Sequence, residues 1–324
     1  MKSFKRLSAR DAALRILEIE NPIVYIHRRP DGDAVGSGAA LCEIFRQLGH
    51  TAEIISADPI PERLKFITEN AGISVAVSAD GKTPIAIDVA SPEQLGSLYE
   101  TAPLPILMID HHEVGTPFAD GYIAPEASSA AEALLDIALL LCEMGKIELN
   151  KALCASLFTA ISSDTGCFAY SNATPKAHRY AATLIESGID AADINHRLFS
   201  SKSKEEIRAE GFVASKIEAQ CGGRVAFITL TLDEIASLGL KSEHFETAID
   251  IVRALRGVEV AFIVKETEKG KYKGSLRSVG ANVAEVAATF GGGGHIRAAG
   301  CSLTAERIED AASLLLKEIR KIFE

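Results

Sequence analysis

The sequence predicts an α/β protein: a mostly parallel sheet with helices on both faces in an N-terminal domain, followed by a smaller α+β domain with a mixed sheet. Three observations carry this. Short apolar runs without strict polar alternation recur at 23–26, 52–55, 74–77, 85–87 and 106–109. They alternate with helical or turn segments, the pattern of strands buried on both faces of a parallel sheet. The second half has a hairpin signal around Glu268-Lys269-Gly270-Lys271, with helices segregated from it, as in α+β domains. The length of 324 residues suits two domains of ordinary size.

Taken in order, Ser8 to Asp11 forms an N-terminal capping pattern, and an amphipathic helix through Leu14, Ile16 and Leu17 stops before Asn21-Pro22. Strand 23–26 runs into charged residues and a Gly36-Ser37 turn, and the next helix is predicted over 39–48, closed by Gly49. Helices are expected at 130–143, 151–162 and 175–187. From Gly188 to Lys202 the chain changes to Gly, Asp, Asn and Ser. The expected organisation is therefore a first domain over 1–188, a linker over 189–205 and a second domain over 206–324. Ser203 and Glu206 form a capping box for a helix running to Gly222-Gly223. Strands at 225–230, 258–264, 272–276 and 301–303 follow, with a helix ending near Phe290, a glycine run and a final helix.

Composition narrows the function. The formal net charge is −10, which argues against a wide electropositive groove for duplex DNA, since affinity for long nucleic acid rests on many phosphate contacts. A small phosphorylated substrate held by metal and a few cations fits better. Six cysteines, at 42, 142, 154, 167, 221 and 301, include no C-x-x-C pair and read as reduced structural thiols. The N-terminus shows no signal pattern. The longest apolar stretches, such as 133–142, are too short for a bilayer and are interrupted by Asp136, so no membrane association is expected and the cytoplasm is the default compartment.

Three predicted strands of the first domain end in groups able to bind a hard divalent metal. Strand 23–26 is followed by His27, Asp31 and Asp33; strand 85–87 by Asp88; strand 106–109 by Asp110, His111 and His112. A fourth acid, Asp164, follows the helix 151–162 and precedes Thr165-Gly166. Ligand sites in open parallel sheets form beyond the carboxyl ends of strands, so these side chains can converge without long loops. Singly, each has an ordinary explanation: Asp31-Gly32-Asp33 as a turn, a histidine as a satisfied surface residue, Asp88 as a cap, Asp164 in an Asx turn. Jointly, clustered carboxylates repel one another unless a cation is present. Carboxylate and imidazole donors without cysteine suit Mn²⁺, Fe²⁺, Co²⁺ or Mg²⁺ better than structural zinc. Six candidate ligands exceed the needs of one open site, and two-metal centres commonly serve phosphoester hydrolysis.

The pattern resembles the DHH phosphoesterase family. The matching residues run from His27 through Asp31-Gly32-Asp33 to Gly36-Ser37, then Asp88, then Asp110-His111-His112, then Asp164-Thr165-Gly166. Gly291-Gly292-Gly293-Gly294-His295 and Ala298-Ala299-Gly300 are similar to the DHH-associated domain of the same proteins. The resemblance spans most of the chain, and length and layout look most like the branch of oligoribonucleases and 3′,5′-bisphosphoadenosine phosphatases. It implies two divalent cations, Mn²⁺ first among them. One would be held by His27, Asp31 and Asp88, the other by Asp33, Asp88, His111 and Asp164, with Asp88 as bridge. It further implies that His112 contacts the scissile phosphate while Asp110 supports the histidine pair. No ligand position departs from the pattern.

Recognition would fall to the second domain. Gly292, Gly293 and Gly294 could let backbone amides approach a phosphate or base, although a helix cap and turn is the ordinary reading of a glycine run. The resemblance assigns substrate binding to Arg277 and His295, and a planar guanidinium suits a terminal phosphate or a base. The expected activity is metal-dependent hydrolysis of short RNA or DNA oligonucleotides, linear dinucleotides or 3′,5′-bisphosphonucleotides, with substrate held between the domains. Long duplex nucleic acid is not an expected partner, and the architecture leaves room for a homodimer. The competing readings are a cyclic dinucleotide phosphodiesterase and, from a different class, a non-catalytic nucleotide sensor, which should have lost ligands that this sequence retains.

Overall fold

Ser8 opens the first helix as the sequence predicts: its hydroxyl accepts from the Asp11 amide at 3.1 Å, and the Asp11 carboxylate accepts from the Ser8 amide. In the computed structural model, which describes residues 4–323 apart from the His295 side chain, two units are resolved, Met1–Ser201 and Lys202–Glu324. The first contains α1 (Ala9–Leu17), β1 (Pro22–Tyr25), α2 (Gly32–Gln47), β2 (Ile54–Ile55), α3 (Lys65–Ala71), β3 (Thr83–Ile87) and α4 (Leu98–Thr101). It continues with β4 (Leu107–Asp110), β5 (Gly121–Ile123), α5 (Ala130–Glu143), α6 (Lys151–Asp164), α7 (Pro175–Glu186) and α8 (Ala191–Asn195).

The five strands pair in parallel in the order β2-β1-β3-β4-β5. Strand side chains alternate between two apolar layers, which is why the apolar runs show no polar alternation. Val24, Ile85, Ile87 and Ile109 join the large core under α1, α2, α5 and α6. Ile23, Tyr25, Ala86 and Met108 face a smaller cluster with Leu95 and Phe118. The cover on that second face is light, a single turn at Pro92–Leu95 and α4. Because β2 and β3 flank β1 on opposite sides, the strand order reverses between β1 and β3, where a crevice opens in folds of this kind.

The expected turn at Gly36-Ser37 is absent, since α2 starts at Gly32 rather than near Ala39. Packing overrides local propensity here. A Cβ on Gly36 would lie 2.8 Å from the Ala160 Cβ and 2.9 Å from the Ser156 carbonyl oxygen, and one on Gly32 would collide with the Ser163 hydroxyl. Each glycine costs a helix about 1 kcal/mol relative to alanine. In return α2 lies directly against the small residues of α6, which brings Asp31 at the head of α2 to Asp164 at the end of α6. Gly36→Ala should therefore force the two helices apart and destabilise the protein by about 1–3 kcal/mol. Urea unfolding measures this, and an unchanged midpoint would refute the close-packing account.

Two further differences concern the boundary and the sheet edge. Residues 191–200, expected within a linker, are helical: Asp190 caps α8 by accepting from the Asp193 amide at 2.9 Å, and a wide turn, His196–Ser200, continues it. The Asp that reads as a turn former is a helix cap, and Ile194 of this segment is buried in the first unit's core. Strand β5 was not expected. A Cβ at Gly121 would lie 2.9 Å from the Met108 carbonyl oxygen, so this strand closes on its neighbour through a glycine.

The second unit contains α9 (Lys204–Ser215), β6 (Glu218–Gln220), β7 (Val225–Leu230), α10 (Leu232–Ser237), α11 (Ala248–Arg253), β8 (Val260–Glu268) and β9 (Lys271–Ser278). It ends with α12 (Val283–Ala288), β10 (Gly293–His295), β11 (Ala298–Thr304) and α13 (Ile308–Arg320). The sheet is mixed, in the order β10-β11-β9-β8-β7-β6, with β7 and β8 parallel and the other pairs antiparallel. Helix α9 keeps its Ser203–Glu206 capping box but stops at Ser215, short of the expected Gly222-Gly223, and β6 forms an edge strand instead. The glycine run is not simply a loop: Gly293–His295 pairs with β11. Among the described residues no helix is long and apolar enough to cross a membrane.

Candidate metal centre

The carboxyl edge of the first sheet gathers all six expected ligands. His27 follows β1, Asp88 follows β3 and His111 follows β4. Asp31 is the N-cap of α2, Asp33 lies in its first turn, and Asp164 is the last residue of α6. His27 and Asp88 stand at the reversal between β1 and β3. Three groups have donor atoms within 4.8 Å of one another: His27, Asp31 and Asp88; Asp33, His111 and Asp164; and Asp88, His111 and His112.

The histidines present one nitrogen each to the carboxylates. His27 Nδ1 lies 2.8 Å from the Arg28 carbonyl oxygen, so with Nδ1–H donating there, Nε2 faces Asp88 Oδ2 at 3.5 Å and Asp31 Oδ1 at 3.7 Å. His111 Nδ1 approaches the Ala127 carbonyl at 3.3 Å, and its Nε2 stands 3.7 Å from Asp88 Oδ1, 3.8 Å from Asp33 Oδ2 and 4.0 Å from Asp164 Oδ2. A carbonyl on one ring nitrogen fixes the tautomer and leaves the other as a metal donor. His112 differs: its Nδ1 is 2.8 Å from Asp110 Oδ1, so its orientation is set by that buried carboxylate.

Asp33 is held from outside its own helix. Its carboxylate accepts from the Ala130 amide at 2.7 Å, the Ala131 amide at 3.2 Å and the Ser37 hydroxyl at 2.8 Å. The two amides are the first turn of α5, where unsatisfied N–H groups and the helix dipole favour an anion. Asn172 Nδ2 donates to Asp164 Oδ2 at 3.3 Å. Asp88 takes a left-handed φ of 57°, uncommon for a residue with a side chain and typical of strain kept at functional positions.

This arrangement fits divalent cations on physical grounds. Asp88 is 2% exposed, and its Oδ1 has no hydrogen-bond partner among the described residues, a costly state for a carboxylate unless a cation completes it. Protons answer part of that need without metal. Burial, with the charges of Asp88, Asp164 and Asp31, pushes the Asp33 carboxyl well above its usual range, although the Ala130 amide opposes this. Burial likewise raises Asp164 to about 7, against His111. Burial pulls His27 and His112 down, but hydrogen bonds and charge outweigh it: Asp31 and Asp88 raise His27 to about 11, and chiefly Asp110 raises His112 to about 9.

These directions predict an unusual stability profile for metal-free protein. With both histidines raised above 6.5, the folded state binds more protons than the unfolded chain, so their contribution is complete below pH 6.5 and is lost as pH rises. Between pH 6.5 and 9 stability should fall by on the order of 1–3 kcal/mol, and saturating divalent metal should cancel the decline. Thermal unfolding with chelator and with metal reads this, and a midpoint in chelator that climbs across the window would contradict it.

Around these groups lies a pocket of about 300 Å³, also lined by Arg28, Arg29 and Gln94. Gln94 had no signal as a motif; it reaches the site because its carbonyl accepts the Arg28 amide at 2.7 Å and its side chain accepts the Ala90 amide at 2.6 Å. The remaining expected residues belong to the second unit. Arg277 in β9 pairs with Ala298 in β11, which pairs with His295 in β10, so Arg277 and His295 share one row of the ladder. The His295 side chain lies outside the described residues. A Cβ on Gly292 would collide with the Gly300 carbonyl, and Gly294, at φ 144°, has the Ala298 carbonyl equally close, so both must be glycine for β10 to close on β11.

Residues 21–161 match the DHH family, N-terminal domain, and residues 224–321 match the DHHA1 domain. The chain is 31% identical over 309 residues to the bifunctional oligoribonuclease and PAP phosphatase NrnA of Thermus thermophilus, covering 94% of this chain and 90% of that protein. It is 26% identical to the protein of the same name from Bacillus subtilis, over 91% of this chain and 95% of that one. It is 24% identical to the cyclic-di-AMP phosphodiesterase GdpP of Geobacillus thermodenitrificans, of which it spans 49%. Among solved structures, an exopolyphosphatase-related protein from Bacteroides fragilis superposes with a TM-score of 0.86 at 24% identity, covering 98% of each chain, which is a likeness of fold.

Proposed function

From a chain that belongs to the DHH family and carries a DHHA1 domain, and is thereby a hydrolase of the phosphoesterase type, we propose a two-metal enzyme acting on short oligonucleotides, linear dinucleotides and 3′,5′-bisphosphonucleotides. The observation that carries the two-metal reading is Asp88. It stands within reach of both His27 with Asp31 and His111 with His112, and its buried Oδ1 lacks a hydrogen-bond partner among the described residues. In this reading His27, Asp31 and Asp88 hold one cation, Asp33, Asp88, His111 and Asp164 hold the other, and Mn²⁺ suits the mixed imidazole and carboxylate donors. Bound cations would supply Lewis acidity and make a water acidic enough to act near neutral pH.

The chain's own residues do the rest. Asp110 orients the His112 ring, and His112 offers its other edge to a phosphoryl oxygen, where a donor stabilises developing charge. The first turn of α5 and Ser37 keep Asp33 in place. The second unit would grip the remainder of the substrate, Arg277 and His295 through a terminal phosphate or base, and Gly292, Gly293 and Gly294 through backbone amides. The relatives' names motivate the substrate class, and the net charge of −10 favours short chains over long ones. The domain division that goes with it assigns metal chemistry to 1–188 and recognition to 206–324.

The test is a panel of 3′,5′-bisphosphoadenosine, di- to pentanucleotides and cyclic dinucleotides assayed with Mn²⁺, Mg²⁺ and Co²⁺. Hydrolysis of bisphosphoadenosine and linear dinucleotides is expected. No turnover of either with metal confirmed bound would sink the proposal, and hydrolysis of cyclic substrates alone would move it to a cyclic dinucleotide phosphodiesterase.

A further inference from the structure

A second pocket in the first unit, of about 230 Å³, shares His112 with the metal centre and is lined by Asp110 as well. It is also lined by Phe4, Lys5 and Arg6, a segment with no motif and no place in the reading so far. The segment is pinned to the sheet edge. The Leu7 amide donates to the Gly121 carbonyl at 2.7 Å, and the Gly121 amide donates to the Lys5 carbonyl at 3.0 Å, so Arg6 pairs in parallel with β5 as an added edge. The Lys5 amide donates to Asp120 Oδ1 at 2.9 Å, and the Arg6 guanidinium donates to the Ile123 carbonyl at 2.8 Å. A segment fixed at four points presents its side chains at low entropic cost, as a binding wall must.

The lining has a particular chemistry. Phe4, 41% exposed, and the rings of Pro117 and Pro125 give flat apolar surface. Lys5 and Arg6 add donors, and Glu113 adds an acceptor. A second phosphate would meet Glu113 as well as the cations, whereas a nucleobase has a stacking face and both donors and acceptors on its edge. The volume suits one base with part of its sugar better than a larger ligand.

We infer that Phe4, Lys5 and Arg6 form a subsite for the second nucleoside of a two-nucleoside substrate, next to the scissile phosphate at His112. The inference rests on the phosphoesterase reading above and goes beyond it by assigning two-nucleoside substrates a place of their own. A bisphosphonucleotide has no second nucleoside and leaves this subsite empty, so the two substrate types separate here.

The experiment compares 3′,5′-bisphosphoadenosine with 5′-phosphorylated linear diadenylate in the wild type, Phe4→Ala and Arg6→Ala, each with its unfolding midpoint measured. Loss of a base-stacking contact should raise KM for the dinucleotide roughly tenfold. KM for the bisphosphonucleotide should stay within about twofold. Phe4→Ala changes an exposed side chain and keeps the backbone pairing, so it remains informative if Arg6→Ala loosens the strap. Equal changes on both substrates, or none on either, overturn the subsite while leaving the proposed function standing. Wild-type protein inert on both substrates overturns the proposed function and the subsite with it.

Discussion

Asp88→Asn is expected to lower phosphoester turnover by on the order of 10³-fold and to reduce the number of tightly bound divalent cations per chain. The change keeps the size and shape of the side chain but removes the charge that would serve two cations at once. Asp88 is directly joined to β3 and holds a left-handed backbone conformation, which fixes where its carboxylate stands. His27 Nε2 and His111 Nε2, at 3.5 and 3.7 Å from its two oxygens, would each lose their shared anionic partner. Steady-state kinetics together with metal counting on the purified variant provides the test. Wild-type turnover, or two cations bound as tightly as before, would remove Asp88 from the bridging position. A pure nucleotide sensor predicts a third outcome, unchanged ligand response with no turnover in either protein, and this sets the enzyme reading apart.

The candidate ligands were legible in the sequence because each stands just past an apolar run or at the end of an amphipathic helix. Those positions are the edges that parallel sheets use for ligands. His27, Asp88 and His111 could be placed from local pattern alone, and the added resemblance grouped them. What could not be read depends on contacts distant in sequence. Gly32, Gly36 and Gly38 argue against a helix locally, and it is packing that makes one favourable there, Gly32 and Gly36 against the small residues of α6 and Gly38 against Ile26 and Ile54. The amides of Ala130 and Ala131 that hold Asp33 lie 97 and 98 residues away and belong to an ordinary helix start. Residues 5–7 look like a plain terminal segment until they pair with Gly121, and β5 and β10 are three-residue strands that depend on glycines fitting against a neighbour's backbone. In each case the missing information is shape complementarity, which periodicity does not carry.

His112→Asn should separate metal binding from catalysis. Although His112 can form a group with Asp88 and His111, its Nδ1 sits 2.8 Å from Asp110 Oδ1 and 3.7 Å from Asp88 Oδ1. The short contact commits that nitrogen to Asp110. In the proposed mechanism a ring held this way donates to a phosphoryl oxygen of the substrate. Its loss is therefore expected to lower kcat by about 10²–10³-fold while both cations stay bound. Asp110→Asn should act through the ring and cost less, roughly 10- to 100-fold. It should also leave a mark that a packing defect would not. Burial opposes the raised value of His112, and Asp110 supplies the largest opposing push, so removing its charge should draw the alkaline limb of the rate profile toward lower pH. If His112→Asn instead lost one cation, His112 would be a ligand. If Asp110→Asn lowered the rate with an unmoved pH profile, the pair would not be working as one unit.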